Sequence, residues 1–410
     1  MKVLYLGPSI YLPKHASFKD CSSGFDMMVY DIIENISNDP DNNVIVLTLK
    51  LTEEFEHKKI TFLSHTKKDI IRNIKFKNVI EAVKSFFIFK QPFSERVKTA
   101  VYHLNIGYIE KVIKLQKPDI IHIHGITKDA ISQFNTCLKT GVPFIVTLHG
   151  LIGLSDTIKI PDFYKKLEYK LLKKAAQNNV PVTVISQGMI NRISEKYNLS
   201  TDNIHLISNG VKINKVDKTN TIDIKKEYNI NDSKKIILCI GSVTENKNQL
   251  QIVDAVELLP DEIKNKFLIL IIGSDMLDGA LEKRISEKKL DDYIKYAGFI
   301  EKNMIWNYYE QGDYVLLASK NEGFGLSIAE GFFHGLPTIT FSDLDAIPDL
   351  YNEKVMMLAY DRTTESLTNA INQAISKNWD KEYIKQYACK FSYNNMIRKY
   401  QQLYDLLVNK

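Results

Sequence analysis

Short apolar runs alternate along the chain with stretches in which apolar residues recur every three or four positions. The runs are KVLYLG (2–7), VIVLTL (44–49), DIIHIHG (119–125), FIVTLHG (144–150), VTVIS (182–186), IHLISNG (204–210), IILCIGS (236–242), FLILIIGS (267–274), YVLLAS (314–319) and PTITF (337–341). They are rich in β-branched residues and stop at Gly, Ser or His, with amphipathic stretches between them. That pattern predicts parallel strands covered by helices on both faces, an α/β, doubly wound class. It runs twice, because a fresh strand begins at KKIILCIGSV (234–243) after the polar span VKINKVDKTNTIDIKKEYNINDSKK. We therefore expect domains at 1–210 and 211–385. A final helix is expected over 386–410, where Phe391, Met396, Tyr400, Leu403 and Leu407 keep helical spacing.

Length supports the division, since 410 residues exceed one ordinary core. With 44% apolar and 25% charged residues, burial can offset chain entropy and disorder is excluded. The opening MKVLYLGPSIYLP is apolar for too short a run before Gly7 and Pro8 to be a signal segment or membrane span, so a cytoplasmic location is expected. Cys21, Cys137, Cys239 and Cys389 lie far apart, suggest no disulfide framework or zinc site, and are expected to be buried thiols. The net charge of +5 is modest, and no basic block alternates with aromatics, so nucleic acid is not an expected partner. Between Lys50 and Lys117, however, basic residues outnumber acidic ones 15 to 7, which points to a negative partner there.

Ligands of open parallel sheets sit at the carboxyl ends of strands, and the candidate chemistry lies there. In NEGFGLSIAEGFFHGLPTI (321–339), Glu322 falls in a loop after the strand Tyr314–Ala318, and Glu330 a turn inside a helix from Leu326 to His334. Both carboxylates can face one pocket, while Gly323 and Gly325 let main-chain N–H groups approach a ligand. Alternatively, Glu330 is an exposed helical residue and Glu322 favours the helix N-terminus electrostatically. A dinucleotide fingerprint is excluded, because GFGLSI lacks a third glycine and comes late in the chain. Lys247, in GSVTENKNQLQIVDAVELL, follows a strand and opens a helix whose Leu250, Val253, Ala255 and Leu258 are expected to point inward. By itself it also reads as solvated surface. His122 and His124 share a strand face without a third ligand at metal spacing; His124 is expected to line the cleft and His122 to be a core histidine. His149 ends a buried strand, and Asn209 with Gly210 forms a turn or a ligand contact.

EGFGLSIAEGFFHGLP resembles the E-x7-E signature of the family 4 glycosyltransferases. The resemblance extends through SSGFDMMVYDII, PDIIHIHG, TLHG, ISNGV, IGSVTENKNQ, LIIGSD, YAGFI and FSYNNMIRKYQQLY. It implies a GT-B architecture, two Rossmann-like doubly wound parallel-sheet domains facing a cleft, with the terminal helix expected to cross back to the first. It also implies a retaining hexosyltransferase that takes a nucleotide diphosphate sugar, UDP or GDP, as substrate and requires no metal or other cofactor. Under it, Glu330 holds the ribose and Glu322, with the amides of Phe324 and Gly325, the transferred sugar; Leu326 and Ser327 offer N–H groups to phosphate. Lys247 neutralises the departing diphosphate, Gly24 adds a phosphate contact, and His149 contacts the donor sugar. Phe299 and Ile300 lie near the base. The family's arginine after the glycine is Ser242 here, which removes a bidentate cation from the clamp.

Residues 67–98 (KKDIIRNIKFKNVIEAVKSFFIFKQPFSERVK) mix phenylalanines with lysines and arginines at partly helical spacing. The pattern suits either an interfacial helix on an anionic membrane surface or a helix facing its own core. The expected acceptor is a glycan or a lipid-linked saccharide of surface polysaccharide or glycolipid assembly, with peripheral association at the cytoplasmic membrane face. A nucleotide-sugar epimerase and a non-catalytic sugar-nucleotide-binding scaffold are the alternatives.

Overall fold

A computed structural model of the chain describes residues 1–7, 10, 12, 24–48, 51–88, 93–125, 130–151, 153–154, 162–212 and 222–409. They form two compact units: one joins Met1–Ile185 with Met189–Ser208 and Met396–Lys410, the other Ser186–Gly188 with Asn209–Asn395.

The first unit is built on an eight-stranded sheet of β1 (Lys2–Leu6), β2 (Asn43–Leu47), β3 (Phe55–His57), β4 (Ile60–Leu63), β5 (Ile120–His124), β6 (Phe144–Leu148), β7 (Val182–Val184) and β8 (Ile204–Leu206). Its order is β3-β4-β2-β1-β5-β6-β7-β8, parallel except for the short β3–β4 pair. β5 and β6 are buried at every position, as strands covered on both faces must be. Several polar groups inside satisfy one another. The Nδ1 of His122 lies 2.6 Å from the Tyr404 hydroxyl and its Nε2 2.6 Å from the Thr147 hydroxyl, while Tyr5 and Tyr404 share a hydrogen bond. His122 is thus a core histidine.

Tyr400 and Tyr404 belong to the terminal helix, which packs on this unit through these groups with Met396 and Leu403 buried beside them. That helix runs Tyr393–Val408 and starts later than residue 386, where it was expected. The reason lies in the backbone: residues Lys381–Ala388 and the 3-10 turn Cys389–Phe391 come first. Ser392 is then extended, and Val211 takes the local hydrogen bonds, donating to Phe391 O at 2.9 Å and accepting from Tyr393 N at 3.1 Å.

The second unit carries β9 (Lys235–Ile240), β10 (Phe267–Ile272), β11 (Ile294–Gly298), β12 (Tyr314–Leu317), β13 (Thr338–Phe341) and β14 (Met356–Ala359), in the order β11-β10-β9-β12-β13-β14 and parallel throughout. Strand order therefore reverses between β9 and β12, the topological switch point of a doubly wound sheet. At this edge β10 approaches β9 so closely that a Cβ on Gly273 would fall 2.3 Å from the Gly241 carbonyl oxygen. The helix after β9 spans Gln249–Glu257 and buries Ile252, Val253, Ala255 and Val256. Leu258, expected to point inward, is 50% exposed, because the helix has ended and Leu258 is its C-cap. Cys137 and Cys239 are buried as expected, Cys389 is exposed, and Cys21 lies outside the described residues.

Candidate active site

Two loops meet at the switch point of the second unit. The loop after β9 folds into a turn in which Lys247 N donates to the Thr244 hydroxyl at 3.1 Å, and Asn248 adopts φ 57°. This turn projects the Lys247 side chain across the sheet edge to the loop after β12. There Lys247 Nζ lies 2.6 Å from Glu322 Oε2, with the two side chains 26% and 18% exposed. The Ser319 hydroxyl also approaches Glu322, at 3.4 Å. The main chain and side chain of Asn246 lace the loops: Lys320 N donates to Asn246 O at 2.7 Å, Asn321 N to Asn246 Oδ1, and Asn246 Nδ2 to Asn321 O. The carboxylate and the ammonium group are thus held at a defined spacing before any ligand arrives.

The helix that follows Glu322 spans Leu326–Phe333 and begins at Gly325, whose φ of 77° favours glycine, and no side chain caps it. Phe324 is buried against Phe391 and anchors the loop, which leaves its amide as the part available for binding. Leu326, Ser327 and Gly323 are half-buried. Glu330 accepts a 2.8 Å hydrogen bond from the Tyr309 hydroxyl, which also reaches Ser327 O at 3.2 Å. Burial, with the Glu330 charge beside it, raises the Tyr309 pKa well above its ordinary value, so this phenol stays a donor. Ser242 is exposed, while its carbonyl accepts from Gln249 Nε2 at 3.1 Å. Phe299 is 69% exposed and Ile300 half-buried at the carboxyl end of β11.

Three groups were missed in the sequence: Asn246, Tyr309 and Arg362. The Arg362 guanidinium donates to Ser319 O at 2.7 Å and to Lys320 O at 3.1 Å, pairs with Asp343 at 2.6 Å, and lies over the Phe341 ring. It follows β14, a strand the apolar runs did not reveal, so nothing marked it as a strand-end residue.

In the first unit, His149 Nε2 and His124 Nδ1 are 3.1 Å apart, and the Phe25 edge meets the His149 ring at 4.9 Å between centroids. Burial holds the His149 imidazole down to about 4 and His124 well below its ordinary value, so both are neutral near pH 7. His124 was expected to line a cleft; it is 1% exposed, stacked between His122 and His149, and backs His149 instead. Gly24 opens the helix Gly24–Asn38, and Asn209 is buried in the turn leading to Val211. Among the described residues, no three His, Cys, Asp or Glu side chains converge as metal ligands.

The family models divide the chain along the same lines. Residues 28–215 match Glycosyltransferase Family 4, and residues 220–391 match Glycosyl transferases group 1. The chain is a glycosyltransferase. It is 24% identical over 301 residues to the O-antigen biosynthesis glycosyltransferase WclY of Escherichia coli, covering 72% of this chain and 80% of the relative. A glycosyltransferase from Rickettsia africae superposes with a TM-score of 0.71 at 20% identity, covering 99% of this chain and 98% of the other. Anabaena HepE, solved in complex with UDP and glucose, gives a TM-score of 0.67 at 16% identity, over 99% and 100%. These neighbours give this glycosyltransferase the GT-B fold, while the two family domains and the named glycosyltransferase relatives make it a hexosyltransferase.

Proposed function

We propose that this glycosyltransferase moves a hexosyl unit from a UDP or GDP sugar to a glycan or lipid-linked acceptor, with retention of configuration and without a required metal. The observation that carries the reading is the Lys247–Glu322 pair at the switch point, beside an uncapped helix N-terminus. A nucleotide diphosphate sugar needs positive charge for its diphosphate and acceptors for its hydroxyls, and these groups offer both. The donor's diphosphate takes Lys247 and the amides of Leu326 and Ser327, and Glu322, released from Lys247, accepts from hydroxyls of the transferred sugar. Glu330, oriented by Tyr309, accepts from the ribose. Ser242 adds only a hydroxyl, so in this unit the clamp leans on Lys247 and the helix dipole. His149, held neutral by its burial, abstracts no proton.

As the bond between the anomeric carbon and the phosphate oxygen breaks, Lys247 and the helix N-terminus stabilise the charge that develops on the diphosphate. The acceptor hydroxyl attacks the same face and forms the new glycosidic bond, and its proton passes to the leaving phosphate oxygen. HepE, solved with UDP and glucose, supports testing UDP sugars first. In this reading a lipid-linked acceptor of surface polysaccharide or glycolipid assembly is met at the cytoplasmic membrane face.

A thermal-shift series against UDP and GDP sugars tests the donor assignment. A true donor at a hundred times its Kd adds about 2.7 kcal/mol of stability. If no nucleotide sugar raises Tm, the donor assignment is wrong, and an inverted anomer in the NMR spectrum of the product would refute retention.

A further inference from the structure

The segment between β4 and β5 forms helices Lys67–Arg72, Phe76–Ile88 and Phe93–Leu104, and the last two pack on each other. Their faces are arranged against the ordinary rule. The inward positions of Phe76–Ile88 are small or polar: Asn78, Ala82 and Ser85, spaced i, i+4 and i+7, are each 5% exposed or less. Its outward stripe is Phe76, Ile80, Val83 and Phe87, with Phe76 81% and Phe87 73% exposed. The second helix repeats this with Thr99 inside and Phe93, Val97 and Val101 outside. Nine of the eighteen exposed large apolar side chains among the described residues fall within positions 71–101, a concentration that scattered surface residues do not give.

We propose that this helix pair docks on the surface of an anionic lipid bilayer. Charge selects that occupant. Residues 67–98 carry nine basic and three acidic side chains. Lys75 and Lys77 neutralise Glu110, at 2.5 Å and 3.0 Å, but Lys67, Lys68 and Arg72 stand exposed beside Ile71. The core of a protein interface is depleted of charge, whereas an interfacial helix places cations along the rim of its apolar stripe. Lys77 and Lys84 have that position, paired with Glu110 and Glu81, and with Glu81 and Lys139 they line a crevice of about 260 Å³ next to Ile80. The helices leave the sheet at the carboxyl end of β4, the same edge at which His149 follows β6. Docking therefore brings the edge that holds His149 to the lipid. The purpose of this surface rests on the lipid-linked acceptor of the proposed function; the binding does not.

The test is flotation of the full chain with vesicles of phosphatidylglycerol and phosphatidylcholine, and with phosphatidylcholine alone. Wild type is expected to float with the anionic vesicles only, and less in 0.5 M salt, about where the screening length falls to a few ångströms. Replacing Phe76, Phe87 and Phe93, all largely exposed, together with Ser is expected to cut binding at least about tenfold, with Tm measured alongside to show that the fold is kept. Lys67→Gln, Lys68→Gln and Arg72→Gln together are expected to abolish the preference for anionic lipid. Hydrolysis of the donor sugar without acceptor should be unchanged in both sets, because neither touches the donor site. A chain that hydrolyses donor and does not float refutes the docking alone; one that floats and never turns over donor refutes the proposed reaction alone. Equal flotation of the serine variant overturns the proposal, as does a dimer, seen by light scattering, that the serines dissolve without any vesicle binding.

Discussion

Lys247 and Glu322 neutralise each other across 2.6 Å in a setting that is mostly shielded from water. Removing one partner leaves the other charge half-buried without its counterion, which costs more than losing the attraction itself. Glu322→Gln and Lys247→Ala are therefore each expected to destabilise the protein by about 1–3 kcal/mol. The double variant should lose less than the sum, with a coupling of about 0.5–3 kcal/mol. Urea denaturation of the four proteins measures this, and strict additivity would mean that the pair is not formed in solution. The same variants report on transfer. Each should lower the rate at least about tenfold, equivalent to ~1.4 kcal/mol on the barrier, and near-normal transfer in either would remove that residue from the proposed mechanism. The direct pairing was not legible in the sequence, where Lys247 was assigned to phosphate and Glu322 to sugar. Both residues were identified from their places after strands, but 75 residues separate them, and only the adjacency of β9 and β12 brings them together.

Strand ends hold the site together through elements that the sequence shows unevenly. The ten runs read as strands all form strands, because burial on both faces demands unbroken apolar residues. β3, β4, β11 and β14 went unread. β3, at the sheet edge, and β4 are short and lie around Glu56, Lys58 and Lys59, β11 is interrupted by Lys295, and β14 is Met-rich without β-branching. Missing β14 hid Arg362, whose guanidinium fastens the loop bearing Glu322 by two carbonyls, while its own carbonyl accepts from Gln251 at 2.8 Å. Lysine is a single point donor and cannot span both carbonyls while pairing with Asp343. Arg362→Lys is expected to cost about 1–3 kcal/mol. It should also speed hydrogen exchange at the amides of Lys320 and Asn321, whose acceptors lie on Asn246, while amides of β10 keep their protection. Unchanged exchange at the two loop amides would show that the loop does not depend on Arg362.

At the scale of the whole molecule, histidine burial sets a pH dependence that neither the net charge nor the carboxylates predict. Burial lowers His65, His149 and His334 from 6.5 to about 4, and it also lowers His103, His122 and His124. In the unfolded chain these imidazoles regain an ordinary pKa near 6.5. Above that value both states hold them neutral, and they add no slope. Between about 6.5 and 4 the unfolded chain binds more protons than the folded one, so stability falls as pH falls through this window, by ~1.4 kcal/mol for each unit of depression. Carboxylates act lower: Asp69, bonded by Thr66, and Glu110, held by Lys75 and Lys77 against its burial, are depressed and lose their contribution only below the ordinary carboxylate range. Calorimetric Tm should therefore be level above pH 6.5 and drop steeply from there to pH 4, before the carboxylates titrate. His65→Gln, at a buried ring whose Nε2 has no hydrogen-bond partner among the described residues, should reduce the steepness of that drop whatever it does to Tm at pH 7. If the drop between pH 6.5 and 4 keeps its slope in this variant, the acid sensitivity does not come from His65, and a level Tm down to pH 4 in the wild type would mean that the buried imidazoles are protonated in place.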